Sequence, residues 1–137
     1  RLDEIQASIL KFKLGKVDSF IKRRRELAKV YSKKLSSTTL KLPKENLKNK
    51  HVFHLFTVFH AKAEIIKKKL LKENIQTRSI YPYPIHRMKA YSKIIKNQKN
   101  LRNSEIKSKG IFSLPLYPEL KNSEVNMICI KLIKVLY

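Results

Sequence analysis

The stretch His51-Val52-Phe53-His54-Leu55-Phe56-Thr57-Val58-Phe59-His60 decides how this chain folds. β-Branched and aromatic side chains fill it and neither Gly nor Pro interrupts it, so residues 51–60 read as a strand. Upstream, apolar residues recur at intervals of three and four. Leu2, Ile5 and Ile9 mark one stripe, Leu10, Leu14, Val17 and Ile21 a neighbouring one, and Leu27, Tyr31 and Leu35 continue it. That period predicts one long helix over residues 2–35, whose two stripes ask for more than one neighbour. Ser36-Ser37-Thr38-Thr39 end it by competing for backbone hydrogen bonds, and residues 43–50 form a loop. Downstream, residues 62–73 predict a second helix and residues 75–81 a second strand, which Pro82 and Pro84 break by fixing φ and removing amide donors. Short helices are expected at 91–96 and 104–109, a third strand at 111–116, and a closing helix at 125–135 capped by Asn122 or Ser123. A long N-terminal helix followed by a small antiparallel sheet flanked by helices defines an α+β fold. Residues 1–36 are then a linking helix and residues 37–137 a small domain.

With 137 residues the chain holds one core, and 42% hydrophobic residues are enough to fill it despite a net charge of +22. No apolar run approaches the roughly 18 residues of a membrane span; the longest, at 125–137, contains Lys131 and Lys134. The opening Arg1-Leu2-Asp3-Glu4 lacks the pattern of an export signal. Cys129 is the single cysteine, so an intrachain disulfide and a cysteine zinc cluster are excluded, and a cytoplasmic setting is expected. With Gly15 and Gly110 as the only glycines, a glycine-rich phosphate loop is excluded too.

The charge comes from 25 Lys and 7 Arg, and its densest runs, Arg23-Arg24-Arg25 and Lys67-Lys68-Lys69, fall inside helical patterns. Three successive helical residues spread over about 300° of the wheel, so these runs read as solvated helix surface and not as a specific nucleic-acid stripe. Charge alone supports only a free-standing basic binding module for nucleic acid or an anionic membrane surface. His54 and His60 share strand parity, but two histidines fall short of a metal site, and Cys129 among Met127, Ile128 and Ile130 reads as a core thiol. The best local candidate is the loop that gathers Tyr81, Tyr83, His86 and Tyr91 with Arg78 and Arg87. It offers donors, cations and aromatic faces together; the bland reading is that its rings pack on apolar surface.

Three segments in order carry a resemblance: Arg1-Leu-Asp-Glu-Ile-Gln-Ala7, then Tyr81-Pro-Tyr-Pro-Ile-His86 with Met88 and Tyr91, then Ser113-Leu-Pro-Leu-Tyr-Pro-Glu-Leu120 with Glu124-Val125. Together they resemble the C-terminal part of the DegT/StrS-type family of pyridoxal-phosphate-dependent sugar-nucleotide aminotransferases. Phe53-His54-Leu55 looks like that family's Tyr/Trp-His-Leu strand, and Thr77-Arg78 with His86-Arg87-Met88 is similar to perosamine-synthase-like members. The resemblance implies the small C-terminal domain of a fold-type I enzyme that moves an amino group from glutamate to a nucleotide-linked keto sugar, using pyridoxal 5'-phosphate, as a homodimer. By the same resemblance Arg1 lies near the cofactor phosphate, and Arg78, Tyr81 and His86 line the substrate side. The lysine that bonds the cofactor is expected in a large domain upstream of residue 1, in keeping with a chain that opens on Arg, and the fragment alone is expected to be inactive. The resemblance implies neither a metal, nor a specific nucleic acid, nor a membrane as partner.

Overall fold

The computed structural model of the chain describes residues 2–91, 94–95 and 101–137. The expected long helix is two helices, α1 (Glu4–Leu14) and α2 (Val17–Leu35). Asp3 caps α1, its Oδ1 accepting from the Ile5 amide at 2.9 Å. Gly15 and Lys16 then interrupt the ladder: the Lys16 amide donates back only three residues, to Lys13 O at 2.9 Å, and Ser19 Oγ donates to Lys16 O at 2.7 Å to open α2. Gly weakens a helix interior by about 1 kcal/mol relative to Ala, and no tertiary contact compensates here, because α1 buries none of its residues. The first stripe thus ends within α1, and the second is split, Leu10 and Leu14 on α1 and Val17 onward on α2.

The strand is shorter than residues 51–60 suggest. Phe53 adopts φ 47°, in the left-handed region where a bulky side chain is strained, and only Phe56–Phe59 forms β1. Side chains hold that turn: His51 Nδ1 accepts from the Phe53 amide at 2.9 Å, and Arg24 Nη1 donates to His54 O at 2.9 Å. The stretch 53–55 that looks like the family's strand is therefore a clamped turn leading into β1. A third helix, α3 (Ala63–Lys72), ends at Asn74 with φ 60°, where the Ile75 amide reaches Leu70 O at 2.9 Å and the Asn74 amide Leu71 O at 3.0 Å. This left-handed cap draws buried Ile75 toward the helix end, which with Pro82 and Pro84 leaves the expected strand at 75–81 a single bridge, Arg78 to Ser113.

Two short 3-10 turns, Ile85–Arg87 and Lys89–Tyr91, follow. The second replaces the start of the helix expected at 91–96, the rest of which lies largely outside the described residues. Then come α4 (Arg102–Gly110), β2 (Ile111–Leu114) and α5 (Asn122–Leu136). β2 pairs antiparallel with β1, in the register Phe56 to Leu114 and Phe59 to Ile111. Lys41 bridges Phe59 on the outer edge of β1. The cap of α5 is Lys121, whose amide donates to Glu124 Oε2 at 2.7 Å, and not Asn122 or Ser123.

The core lies between this small sheet and helices α2, α3 and α5, with α5 packed on both others. Leu27, Tyr31 and Leu35 of α2 meet Phe56 and Val58 of β1, Phe112 of β2, Leu70 of α3 and Leu132 of α5. Tyr31 is fully buried, stacks on Phe56 at 5.0 Å between centroids, and donates its hydroxyl to Pro115 O at 2.9 Å. That burial raises its ionisation well above the ordinary tyrosine range. Cys129 is buried on α5 as expected, its thiol pushed up to about 11 by desolvation.

Candidate functional site

The arginine run on α2 is not solvated surface. Arg23 Nη2 donates to Leu120 O at 2.7 Å, and Arg24 Nη1 also reaches Leu116 O at 3.4 Å. Arg25 makes a bidentate pair with Glu45 at 2.6 and 3.1 Å and donates to His51 O at 2.5 Å. The hydrogen bond from Arg25, followed by the one from the His51 amide, holds the Glu45 carboxyl below its usual range. These guanidiniums staple loops 43–55 and 115–120 to α2, an office the rigid five-donor fork suits better than lysine. Lys67 is engaged as well, with Glu64 at 2.6 Å and Ser79 Oγ at 3.0 Å, whereas Lys68 and Lys69 are exposed. His60 Nδ1 accepts from the Lys62 amide at 3.0 Å and so opens α3.

A cavity of about 810 Å³ lies between the proline–tyrosine loop and α4. Tyr81, Tyr83, Ile85, His86, Met88 and Tyr91 line it from the loop, and Leu101, Ser104, Lys107 and Ser108 from the other side. Its size and its mix of apolar wall with a few polar groups suit a small organic ligand. Tyr81 and Tyr83 are 69% and 66% exposed, so they are not packing groups. His86 is the reverse: 7% exposed, with Nε2 3.0 Å from Glu105 Oε1. Arg87 donates to the same oxygen from Nε at 2.8 Å and lies 2.7 Å away through Nη2. The hydrogen bond from His86 first, and that from Arg87 second, hold the Glu105 carboxyl below its usual range.

Of the residues expected to meet substrate, the structure thus brings Tyr81 and His86 to one cavity. Arg78 is exposed, pairs through its backbone with Ser113, and is not among the cavity's lining residues. Arg1 lies outside the described residues. Glu105 and Lys107 were hidden in what reads as a plain polar helix. The available signal was that Glu105 is the only acid between Glu73 and Glu119, in a strongly basic stretch. A second cavity, of about 630 Å³ along α2, is lined by Asp18, Lys22, Glu26 and Lys29, whose opposite charges alternate without converging on one ligand.

The described residues thus form a helical α+β domain with an aromatic, histidine-bearing loop that opens on one cavity. Residues 1–133 match the DegT/DnrJ/EryC1/StrS aminotransferase family, and the chain belongs to it. It is 38% identical over 128 residues to a dTDP-3-amino-3,6-dideoxy-alpha-D-galactopyranose transaminase of Aneurinibacillus thermoaerophilus, covering 93% of this chain and 35% of that protein. It is 33% identical over 135 residues to the GDP-perosamine synthase of Escherichia coli, covering 94% of this chain and 35% of that one. Among solved structures, S. venezuelae DesV in complex with a ketimine intermediate superposes with a TM-score of 0.92 and 30% identity, over 98% of this chain and 36% of DesV. The chain therefore spans about a third of the length of its relatives and corresponds to their C-terminal part.

Proposed function

We propose that this chain is the substrate-side small domain of a pyridoxal-phosphate-dependent aminotransferase that moves an amino group, with glutamate as donor, onto a nucleotide-linked keto sugar. The observation that carries the reading is the cavity walled by Tyr81 and His86, on a chain that superposes along nearly its whole length on DesV. Pyridoxal 5'-phosphate, when bound, supplies the electron sink for the transfer. In this reading the lysine that bonds the cofactor lies in the part that the relatives have and this chain does not match; among the described residues the two half-buried lysines, Lys67 and Lys131, are paired with Glu64 and Glu73. What this chain contributes is orientation: exposed Tyr81 and Tyr83 as faces and hydroxyls for a nucleotide sugar, and Lys107 as a cation on the facing wall.

The helix break refines the domain reading. α1 leaves Ile5, Ile9 and Phe12 more than half exposed, and an eleven-residue helix is marginal in water by itself. We assign α1 to the seam with the large domain and α2 onward to the small domain, within a cytoplasmic homodimer. A basic nucleic-acid or membrane module has less support, because the arginine run is spent on backbone carbonyls and Glu45. The test is a chimera that joins residues 1–137 behind the first two-thirds of the A. thermoaerophilus transaminase. Glutamate-dependent amination of a nucleotide-linked keto sugar is expected. A folded, cofactor-loaded chimera without turnover would overturn the proposal.

A further inference from the structure

Residues 81–111 supply every lining residue of the aromatic cavity, and within them eight Lys or Arg stand against one acid, Glu105, which is engaged by His86 and Arg87. Two ammonium groups beside the cavity keep their charge. Lys107, a lining residue on α4, places its Nζ 4.6 Å from the centroid of the Phe59 ring, and Lys41 places its own 5.5 Å from the same centroid. The two ammoniums thus lie no farther apart than those two distances end to end, about one Debye length at 0.1 M salt. All ten acids belong to the described residues, and none of them pairs with either lysine. A ring attracts an ammonium through its quadrupole and carries no net charge, so Phe59 orients both cations without neutralising them. The sheet fixes where Lys41 stands: Phe59 pairs with Ile111 and bridges Lys41 on its other edge, so the three side chains share one face. Ile111 lines the cavity, and the Lys41 backbone is two strand spacings, about 10 Å, away from it.

We propose that Lys41 and Lys107 are the capture element of this cavity: their uncompensated charge draws in anionic, nucleotide-linked sugars and favours them over uncharged ones through the rate of entry more than through the lifetime of the bound state. The inference rests on the nucleotide-sugar reading above and deepens it. A diphosphate linkage carries two negative charges, and a cleft edged by one sign of charge against apolar walls focuses the field and raises association rates by about 10- to 1,000-fold. Steering acts over a Debye length, so neither ammonium has to reach into the cavity.

Line-shape analysis of proton–nitrogen spectra of the full 15N-labelled chain, titrated with dTDP-glucose, separates association from dissociation rates. Between about 0.01 and 1 M salt the Debye length shrinks from about 30 to about 3 Å, and the association rate should fall by about tenfold or more while dissociation changes little. Replacing both residues, Lys41→Gln with Lys107→Gln, should lower the association rate at low salt by about fivefold, the Coulomb effect of two charges roughly 10 Å from a dianion, and should flatten its salt dependence. Both side chains are exposed, so the fold is retained. Removing the same charge from α1, Lys11→Gln with Lys13→Gln, takes away exposed lysines that do not line the cavity and should change the rate by less than about twofold. Equal losses in the two double variants, an association rate that the Lys41 and Lys107 changes leave at the parent value, or a faster dissociation in its place would overturn the capture role with nucleotide-sugar binding intact. A chain in which no resonance responds to dTDP-glucose at low salt would refute the nucleotide-sugar reading, and the capture role with it.

Discussion

Replacing His86 by Ala should destabilise the domain more than replacing Tyr81, although the exposed ring is the larger one. His86 is 7% exposed and its bond at 3.0 Å ends on an ionised carboxylate, a class worth about 1.5–3 kcal/mol. Losing the buried ring adds to that, while Glu105 keeps both bonds to Arg87 and is not left as an orphan charge. The sum is about 2–4 kcal/mol, or roughly 6–15 °C in the unfolding midpoint of a domain this size. Tyr81 is 69% exposed, so Tyr81→Ala should stay within about 0.5 kcal/mol of the parent. Thermal unfolding followed by circular dichroism measures both. A cycle with Glu105→Ala should show that the His86 loss is partly shared with Glu105. A His86→Ala chain that melts with the parent, or a Tyr81→Ala chain that melts far below it, would refute the assignment of one residue to scaffold and the other to an open surface.

Three further outcomes follow from particular contacts. A Cβ at Gly110 would lie 2.7 Å from Phe59 Cδ2 and 3.0 Å from His60 O, so Gly110→Ala should cost about 1–3 kcal/mol in urea unfolding. Arg24→Ala should cost about 1.5–3 kcal/mol by the same assay, because it releases the carbonyls of His54 and Leu116, whereas exposed Lys68→Ala should cost less than about 0.5 kcal/mol. Glu45 and Glu105 both have carboxyls held below their usual range, so the stability they confer is complete above the unfolded-state value of about 4.3 and is lost as pH falls through their folded values. Unfolding midpoints measured on acidification should therefore fall less steeply in Glu105→Gln than in the parent.

The residue pattern alone determined the fold class, the closing helix and the existence of two strands that the structure retains. These depend on local periodicity: Phe56 and Val58 alternate inward, and Val125, Ile128 and Leu132 share a helix face in almost any globular setting. The order of the three motifs likewise determined the family, which the match over residues 1–133 shows. The proline–tyrosine loop was legible as a candidate site because prolines, aromatics and a histidine crowd a span that regular structure cannot use.

Tertiary structure decided the rest, for reasons that lie far away along the chain. Helical periodicity runs through Gly15 unbroken, yet two helices form, because α1 buries none of its residues and so nothing offsets the weakening at Gly15. Residues 51–55 have strand composition, but Arg24 and the His51 ring take their backbone groups and impose a left-handed turn at Phe53. Three arginines that look solvated are clamps, since the carbonyls they serve are about thirty to a hundred residues distant. His86 and Tyr81 read alike, as polar residues of one loop, until α4 brings Glu105 against one of them and leaves the other open. A pattern of neighbours reports local conformation, whereas a buried hydrogen bond between residues nineteen positions apart exists only once the chain has closed on itself.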